Sequence, residues 1–314
     1  MNKEAKIYVA GHRGLVGSAI LRQLKGEGFA NVITRTHQEL DLIRQADVEK
    51  FFAEEKPEFV FLAAARVGGI HANSTYKADF IYQNMQVQNN VIHQSYVEGV
   101  KKLLFLGSSC IYPKHCPQPM KEAYLLTGEL EQTNDAYAIA KIAGIKMCQS
   151  YNQQYGTNFI SVMPTNLYGP HDNFDLKNSH ELPAMLRKFH EAKENGHTPV
   201  ELWGSGTPRR EFVYSEDMAE VCLHVMEKIN AGDAPGDLYN IGSGSDLTIK
   251  ELALKIQATV GHHGDIHWDA SQPDGTLRKW QDISRISEAG WSAKTDLNEG
   301  LQLAYDWFLH NTQK

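Results

Sequence analysis

The sequence predicts an α/β fold with a doubly wound parallel sheet, and three observations support this. Short apolar runs such as residues 7–10, 59–63 and 103–106 show no polar alternation, which is typical of strands covered on both faces. Longer amphipathic stretches separate these runs, as helices between parallel strands would. A glycine-rich segment, residues 11–17, follows the first run and leads into the first predicted helix.

The predicted elements alternate along the first half of the chain, and the pattern changes after Tyr168. The strands are predicted at residues 7–10, 31–34, 59–63, 103–106, 159–163 and 238–242, and the helices at residues 14–28, 46–56, 80–98, 137–155, 182–195, 248–260 and 297–311. Residues 169–173 are turn-rich. We therefore expect a smaller, discontinuous lobe packed against the carboxyl ends of the strands. The main domain is predicted at residues 1–168 and 213–245, and the lobe at residues 169–212 and 246–314.

Composition narrows the class of protein. A hydrophobic fraction of 42% and a charged fraction of 22% are ordinary for a globular chain, and a net charge of −7 disfavours a nucleic-acid partner. No apolar run is long enough to cross a bilayer, and the first residues lack the features of a signal peptide, so a cytoplasmic location is expected. The four cysteines, at positions 110, 116, 148 and 222, form no CxxC pair and indicate neither a metal site nor a disulfide framework.

The glycine-rich segment has the spacing GxxGxxG between a strand and a helix. Glycines allow a tight turn and let backbone N–H groups approach a pyrophosphate at the helix N-terminus. Turn glycines without a ligand are the alternative, but the position favours a Rossmann-type dinucleotide site. The main domain is therefore predicted to bind a dinucleotide, and the lobe to bind substrate. The predicted contacts in this segment are Gly11, His12, Arg13, Gly14, Leu15, Val16 and Gly17.

The end of the second predicted strand bears on the choice of cofactor. NAD-binding proteins usually carry an acid there, which holds the ribose 2′-hydroxyl. Here residues 34–37 read Thr-Arg-Thr-His. Arg13 with Arg35 or His37 could instead pair with a 2′-phosphate, which favours NADP. The alternative is that Arg35 is only a solvated charge.

Three side chains indicate carbonyl redox chemistry. Tyr137 and Lys141 stand four residues apart on one face of a predicted helix, and Ser108 follows the fourth strand. A neighbouring ammonium stabilises phenolate, and a serine hydroxyl can donate to a carbonyl that the tyrosine protonates. YxxxK alone occurs often by chance, but the glycine segment and Ser108 make the catalytic interpretation the better one.

These motifs, and longer blocks beside them, resemble the extended short-chain dehydrogenase/reductase family. The resembling blocks cover residues 11–14, 63–70, 105–113, 137–146, 163–173 and 203–206. Within the family, they are most similar to the branch that converts GDP-4-keto-6-deoxy-D-mannose into GDP-L-fucose. The resemblance implies epimerisation at C3 and C5, followed by NADPH-dependent reduction at C4. It also implies a homodimer formed through the helices at 80–98 and 137–155.

The resemblance further implies roles for individual residues. Cys110 corresponds to the base of the epimerisation and His180 to its acid, although a lone cysteine is usually a buried apolar group and a lone histidine is usually structural. The implied substrate contacts are Lys188, Trp203, Arg210, Asp274 and Lys279. The implied cofactor contacts beyond the glycine segment are Arg35, His37, Asp41, Leu42, Ala64, Leu106, Gly107, Lys141, Pro164, Asn166, Leu167 and His180. Two positions depart from the pattern, because His37 and Lys188 stand where a relative can have arginine.

Other functions remain open on sequence alone. A 4-epimerase or a 4,6-dehydratase would share the fold. The first usually has an acid at the second strand end, and the second an acidic pair beside the catalytic serine or threonine, where this chain has Ser109 and Cys110. A non-catalytic dinucleotide sensor would tend to lose the Tyr137 and Lys141 pair.

Overall fold

The computed structural model describes residues 1–176, 178–272 and 274–311. Lys177, Pro273 and residues 312–314 lie outside the described residues. All of them belong to the predicted lobe. The central element is a parallel sheet with the strand order β2-β1-β3-β4-β5-β9. The chain reverses its direction of winding between β1 and β3, so the fold class predicted from the sequence is confirmed. The strands of this sheet are β1 (Ile7–Ala10), β2 (Val32–Ile33), β3 (Phe59–Leu62), β4 (Lys102–Leu106), β5 (Phe159–Pro164) and β9 (Leu238–Ile241).

Helices cover both faces of this sheet. On one face α1 packs against α7, and on the other α4 packs against both α2 and α5. The strands between them are almost wholly buried, which explains their continuous apolar sequences. The helices are α1 (Leu15–Gly26), α2 (Gln45–Glu55), α3 (Ile70–Thr75), α4 (Lys77–Val97), α5 (Asp135–Tyr155), α6 (Glu181–Glu194), α7 (Ser215–Lys228), α8 (Ile249–Val260), α9 (Ser284–Glu288) and α10 (Leu297–Asn311).

A second core lies where the strand–helix alternation breaks down. It is formed by α6, α8, α10 and short strands, around buried residues such as Phe189, Ile256 and Phe308. The strands are β6 (Asn166–Tyr168), β7 (Val200–Trp203), β8 (Arg209–Tyr214), β10 (Asp246–Thr248), β11 (Ile266–Asp269) and β12 (Arg278–Lys279). Strand β8 pairs with β6, β10 and β12, and β7 pairs with β11. The residues at which the chain passes between the two domains remain a prediction.

A buried carboxylate ties the small sheet to the main one. Glu211 on β8 accepts hydrogen bonds from the backbone N–H of Gly244 at 2.8 Å and of Gln281 at 3.1 Å. The Gln281 side chain in turn donates to the carbonyl of Met163 on β5 at 3.0 Å. Burial raises the pKa of Glu211 to about 7. These bonds fix the segments that carry Arg210, which directly precedes Glu211, and Lys279, which stands two residues before Gln281.

No helix within the described ranges has the length and apolar character needed to cross a membrane.

Candidate active site

The glycine segment packs more tightly than its sequence alone reveals. Gly11 has φ +85°, and a Cβ there would lie 2.7 Å from the backbone nitrogen of Ala64 at the end of β3. A Cβ on Gly17 would lie 2.1 Å from the carbonyl oxygen of Gly11, whereas one on Gly14 would make an ordinary contact at 3.5 Å. Two of the three glycines are thus required by the close approach of the loop to α1 and β3.

The N-terminus of α1 is suited to an anion. Gly14 is its N-cap, and no acidic side chain lies in the first turn. The Arg13 side chain is exposed, and the buried Nδ1 of His12 has no hydrogen-bond partner among the described residues. Burial and the neighbouring Arg13 lower the pKa of His12. Free helix N–H groups, a cation and an unpartnered ring nitrogen fit the pyrophosphate of a dinucleotide.

Two carboxylates lie near the end of the second strand, although residues 34–37 themselves include no acid. Arg35 lies 2.5 Å from Glu55 on α2, and it also donates to the carbonyl of Thr34. Glu39 accepts a hydrogen bond from the backbone of Thr36 at 2.7 Å, and this bond, with the charges of Arg35 and Arg13, lowers the pKa of Glu39. Sequence reasoning missed Glu39, because it follows the strand end by several residues and only the turn brings it back. Arg35 is therefore an already paired cation, whereas Arg13 is exposed.

His37 and Asp41 lie in the same region. His37 is 79% exposed, and its Nδ1 is 3.7 Å from the carboxylate of Asp41. The remaining predicted cofactor contacts follow the carboxyl ends of the central strands, where the fold places ligands. Ala64 follows β3, Leu106 and Gly107 end and follow β4, and Pro164 ends β5. The rest are Leu42 after β2, and Asn166 and Leu167 on β6.

Ser108 lies between Tyr137, predicted for the reduction, and Cys110, predicted for the epimerisation. It caps a short 3-10 turn, Ser109–Ile111, and its Oγ accepts a hydrogen bond from the Cys110 backbone at 3.4 Å. Burial raises the pKa of both the Tyr137 phenol and the Cys110 thiol, and interaction with the Ser108 hydroxyl acts in the opposite direction on each. One hydroxyl therefore faces both the phenol and the thiol.

Lys141 is anchored beneath Tyr137. Its side chain is 3% exposed, and Nζ donates to the carbonyl of Leu106 at 2.7 Å. Nζ lies 5.8 Å from the centre of the Tyr137 ring, which also contacts the ring of Phe80 edge to face. Burial lowers the pKa of Lys141 to about 8. The predicted set of Ser108, Tyr137 and Lys141 is thus assembled at the end of β4.

His180 lies on a loop that packs beside this region. It is the N-cap of α6 and its side chain is exposed. The loop is held by a hydrogen bond from the backbone N–H of Gly69 to the carbonyl of Asn178 at 2.9 Å, and a Cβ on Gly69 would lie 2.4 Å from the carbonyl oxygen of Ser179. The pairing of His180 with Cys110 remains a prediction.

The five predicted substrate contacts differ in their exposure and in whether their side chains already bind other residues. Lys188 donates to the carbonyl of Glu201 at 2.9 Å, and Trp203 is 62% exposed. Asp274 accepts two hydrogen bonds from Ser205, from its backbone at 2.7 Å and from its hydroxyl at 2.9 Å. Asp274 thereby fixes the loop that follows Trp203.

Arg210 and Lys279 lie side by side on β8 and β12. The carboxylate of Glu181, the first residue of α6, interacts with both. Sequence reasoning missed Glu181, and its position directly after His180 was the only available signal. The pair of cations is suited to a diphosphate.

A glycine loop at the switch point of a doubly wound sheet, with Ser108, Tyr137 and Lys141 at the next strand end, defines the class of nicotinamide-dependent oxidoreductases. The chain belongs to the NAD dependent epimerase/dehydratase family, whose model matches residues 7–242. It is 57% identical over 310 residues to a protein named GDP-L-fucose synthase 1 from Arabidopsis thaliana, covering 99% of this chain and 95% of the relative.

Solved structures agree with this assignment. A GDP-6-OMe-4-keto-L-xylo-heptose reductase from C. jejuni superimposes with a TM-score of 0.93 at 43% identity, covering 100% of this chain and 99% of that one. A GDP-L-fucose synthetase from Naegleria fowleri, solved with NADP, gives a TM-score of 0.91 at 28% identity, covering 100% and 97%.

Proposed function

We propose that the chain converts GDP-4-keto-6-deoxy-D-mannose into GDP-L-fucose, by epimerisation at C3 and C5 and NADPH-dependent reduction at C4. The observation that carries this proposal is the Ser108 hydroxyl, which faces both the Cys110 thiol and the Tyr137 phenol. An oxygen bound at Ser108 would be next to a base for one reaction and an acid for the other. The GDP-L-fucose synthase names of the relatives support the same reaction.

The epimerisation uses the acidity of the carbons beside the C4 ketone. The Cys110 thiolate removes a proton from C3 or C5, and the negative charge moves to the C4 oxygen, where Ser108 and Tyr137 donate hydrogen bonds. His180 returns a proton to the opposite face, which inverts the centre. A plain reductase would not require Cys110 and His180.

The reduction uses the same oxygen position. A bound nicotinamide would supply a hydride to C4. Tyr137 protonates the C4 oxygen, with Ser108 as the second donor, and the Lys141 ammonium stabilises the resulting phenolate. Anchoring of Lys141 to the end of β4 keeps it below the phenol.

We infer NADP as the cofactor mainly from Arg13. Its exposed guanidinium stands at the loop that would hold the adenosine half, where a 2′-phosphate can accept a bidentate contact. Arg35 contributes less, because Glu55 already pairs with it. The N. fowleri relative was solved with NADP, which is consistent with this inference.

The GDP-sugar would lie across the small lobe. Arg210 would take the diphosphate with Lys279 nearby, Trp203 would cover part of the nucleotide, and Lys188 and Asp274 would border it. We also propose a homodimer formed through α4 and α5, which pack together and expose Tyr82, Val97, Ile139 and Tyr155. Ile139→Glu should then lower the mass measured by light scattering, whereas Leu254→Glu, at an exposed position of α8, should not.

A second candidate is C4 reduction of a GDP-4-keto sugar without epimerisation. It is favoured by the likeness to the C. jejuni protein, which is named as a reductase. Cys110 separates the two candidates, because only epimerisation needs a base.

The experiment combines NADPH oxidation with exchange of the C3 and C5 protons in deuterated water. Tyr137→Phe should abolish NADPH oxidation but leave exchange detectable. Cys110→Ser should impair exchange and leave NADPH binding intact, while Cys116→Ser serves as the matched cysteine control. Normal product from the Cys110 variant would contradict the epimerase role, and absence of NADPH oxidation by the parent at micromolar enzyme would refute the substrate.

A further inference from the structure

Lys279 is held in place by backbone pairing on two sides. It lies on β12, opposite Arg210 of β8. On the other side, the backbone of Met120 donates to the carbonyl of Trp280 at 2.7 Å and accepts from the backbone of Asp282 at 2.8 Å. The position of Lys279 is therefore set by the fold and does not depend on a bound ligand.

The two basic side chains of β12 have different partners. Arg278 forms an ion pair, because its Nε lies 2.6 Å from the carboxylate of Asp246. The Lys279 ammonium has no hydrogen bond or ion pair with any described residue. Its side chain lines one cavity together with Cys110. Lys114 and Glu131 line the same cavity, but they pair with each other at 2.9 Å.

The charged groups around Cys110 and Lys279 favour an ion pair between these two side chains. Cys110 faces the ammonium groups of Lys279 and Lys141. Lys279 faces Cys110 and the charges of Arg210, Glu181 and Glu131. Burial works against an isolated thiolate and against an isolated ammonium, so it raises the pKa of Cys110 and lowers that of Lys279. When Cys110 is a thiolate and Lys279 an ammonium, their attraction offsets the free-energy cost of burying each charge.

We propose that Lys279 is the counter-ion of the Cys110 thiolate and thereby a positioning residue for proton abstraction. This rests on the proposed function, in which Cys110 is the base. In the step, the thiolate takes the proton of the C–H bond and becomes a thiol, and the electron pair moves to the C4 oxygen held by Ser108 and Tyr137. Lys279 remains an ammonium throughout. This role differs from a contact with the diphosphate, because Lys279 pairs with the thiolate both before substrate binds and during proton abstraction.

The first test measures the Cys110 thiolate directly. The rate of alkylation by iodoacetamide is followed for the Cys110 peptide by mass spectrometry, over a range of pH and with NADP present. Lys279→Met should raise the pH midpoint by about one unit, as expected on removal of an adjacent opposite charge. Lys279→Arg should restore the midpoint, and Lys114→Met, which removes a cation from the same cavity, should leave it unchanged.

A second test uses the proposed reaction. In Lys279→Met, the alkaline shift should also appear in the pH profile of C5 proton exchange. Equal alkylation midpoints in the parent and Lys279→Met, with weaker GDP binding in the variant, would overturn the proposal and leave Lys279 as a diphosphate contact. A shifted midpoint in an enzyme that shows no exchange would refute the proposed function and not the ion pair. Thermal unfolding confirms that each variant is folded.

Discussion

The ammonium of Lys141 donates a hydrogen bond to the backbone carbonyl of Leu106, with Nζ and oxygen 2.7 Å apart. This bond fastens the helix that carries Tyr137 to the last residue of β4, two residues before Ser108. The Lys141 side chain is thereby buried, and burial lowers its pKa to about 8.

The first prediction concerns the pH dependence of reduction. As the pH rises through about 8, Lys141 loses its proton, and the rate of NADPH oxidation should fall because phenolate is no longer stabilised. Lysine has an unfolded pKa of about 10.4, so the unfolded chain binds more protons between the two values, and stability from this group rises with pH there. Deprotonation of Lys141 therefore does not itself destabilise the fold. Measurement of kcat/KM against pH, beside thermal melts, checks this; a flat profile across pH 8 in the parent would contradict it.

The second prediction separates the three loop glycines. Gly17→Ala should destabilise the protein by about 1–3 kcal/mol and weaken NADPH binding, because its Cβ would overlap the Gly11 carbonyl. Gly14→Ala is the matched control, since its Cβ meets only an ordinary contact and its φ is −79°. Denaturant unfolding and NADPH fluorescence titration measure both effects. Equal effects of the two substitutions would show that the packing argument is wrong.

The third prediction concerns cofactor choice. Arg13→Gln should weaken NADPH binding by about tenfold or more, because it removes a charge-assisted hydrogen bond of about 1.5–3 kcal/mol. Binding of NADH, which lacks the 2′-phosphate, should change little. Arg35→Gln should have a smaller effect on NADPH, since that guanidinium is paired with Glu55. Dissociation constants for both cofactors test this, and a larger loss from Arg35→Gln would reverse the assignment.

The fourth prediction concerns stability away from the site. Lys102, buried at the start of β4, donates to the carbonyls of Val225 at 2.8 Å, Met226 at 2.9 Å and Ile229 at the end of α7. Lys102→Met should lower the free energy of unfolding by about 1–3 kcal/mol, because buried carbonyls lose their donor. Its exposed neighbour provides the control, because Lys101→Met should change stability by less than about 1 kcal/mol. An unchanged KM in both variants would show that the loss is structural.

Most of the central sheet and its helices could be predicted from the sequence. Helix α7 was missed although its sequence contains a signal, with Glu216 and Asp217 in the first turn and Met218, Val221, Cys222 and Val225 on one buried face. The short strands β6 to β8 and β10 to β12 were missed for a different reason. Strands of two to six residues have too little periodicity of their own, and pairing with distant segments forms them.

The sequence by itself determined the doubly wound sheet, the glycine loop and the spacing of Tyr137 and Lys141. These features depend on backbone periodicity and on neighbours a few residues away, and both can be read from the sequence alone. Only the tertiary structure decided that Arg35 is paired with Glu55, that Glu39 turns back toward Arg13, and that Lys279 faces Cys110 across one cavity. Each of these contacts depends on how separate elements pack, and the charge of a side chain does not indicate which distant partner the fold will bring to it.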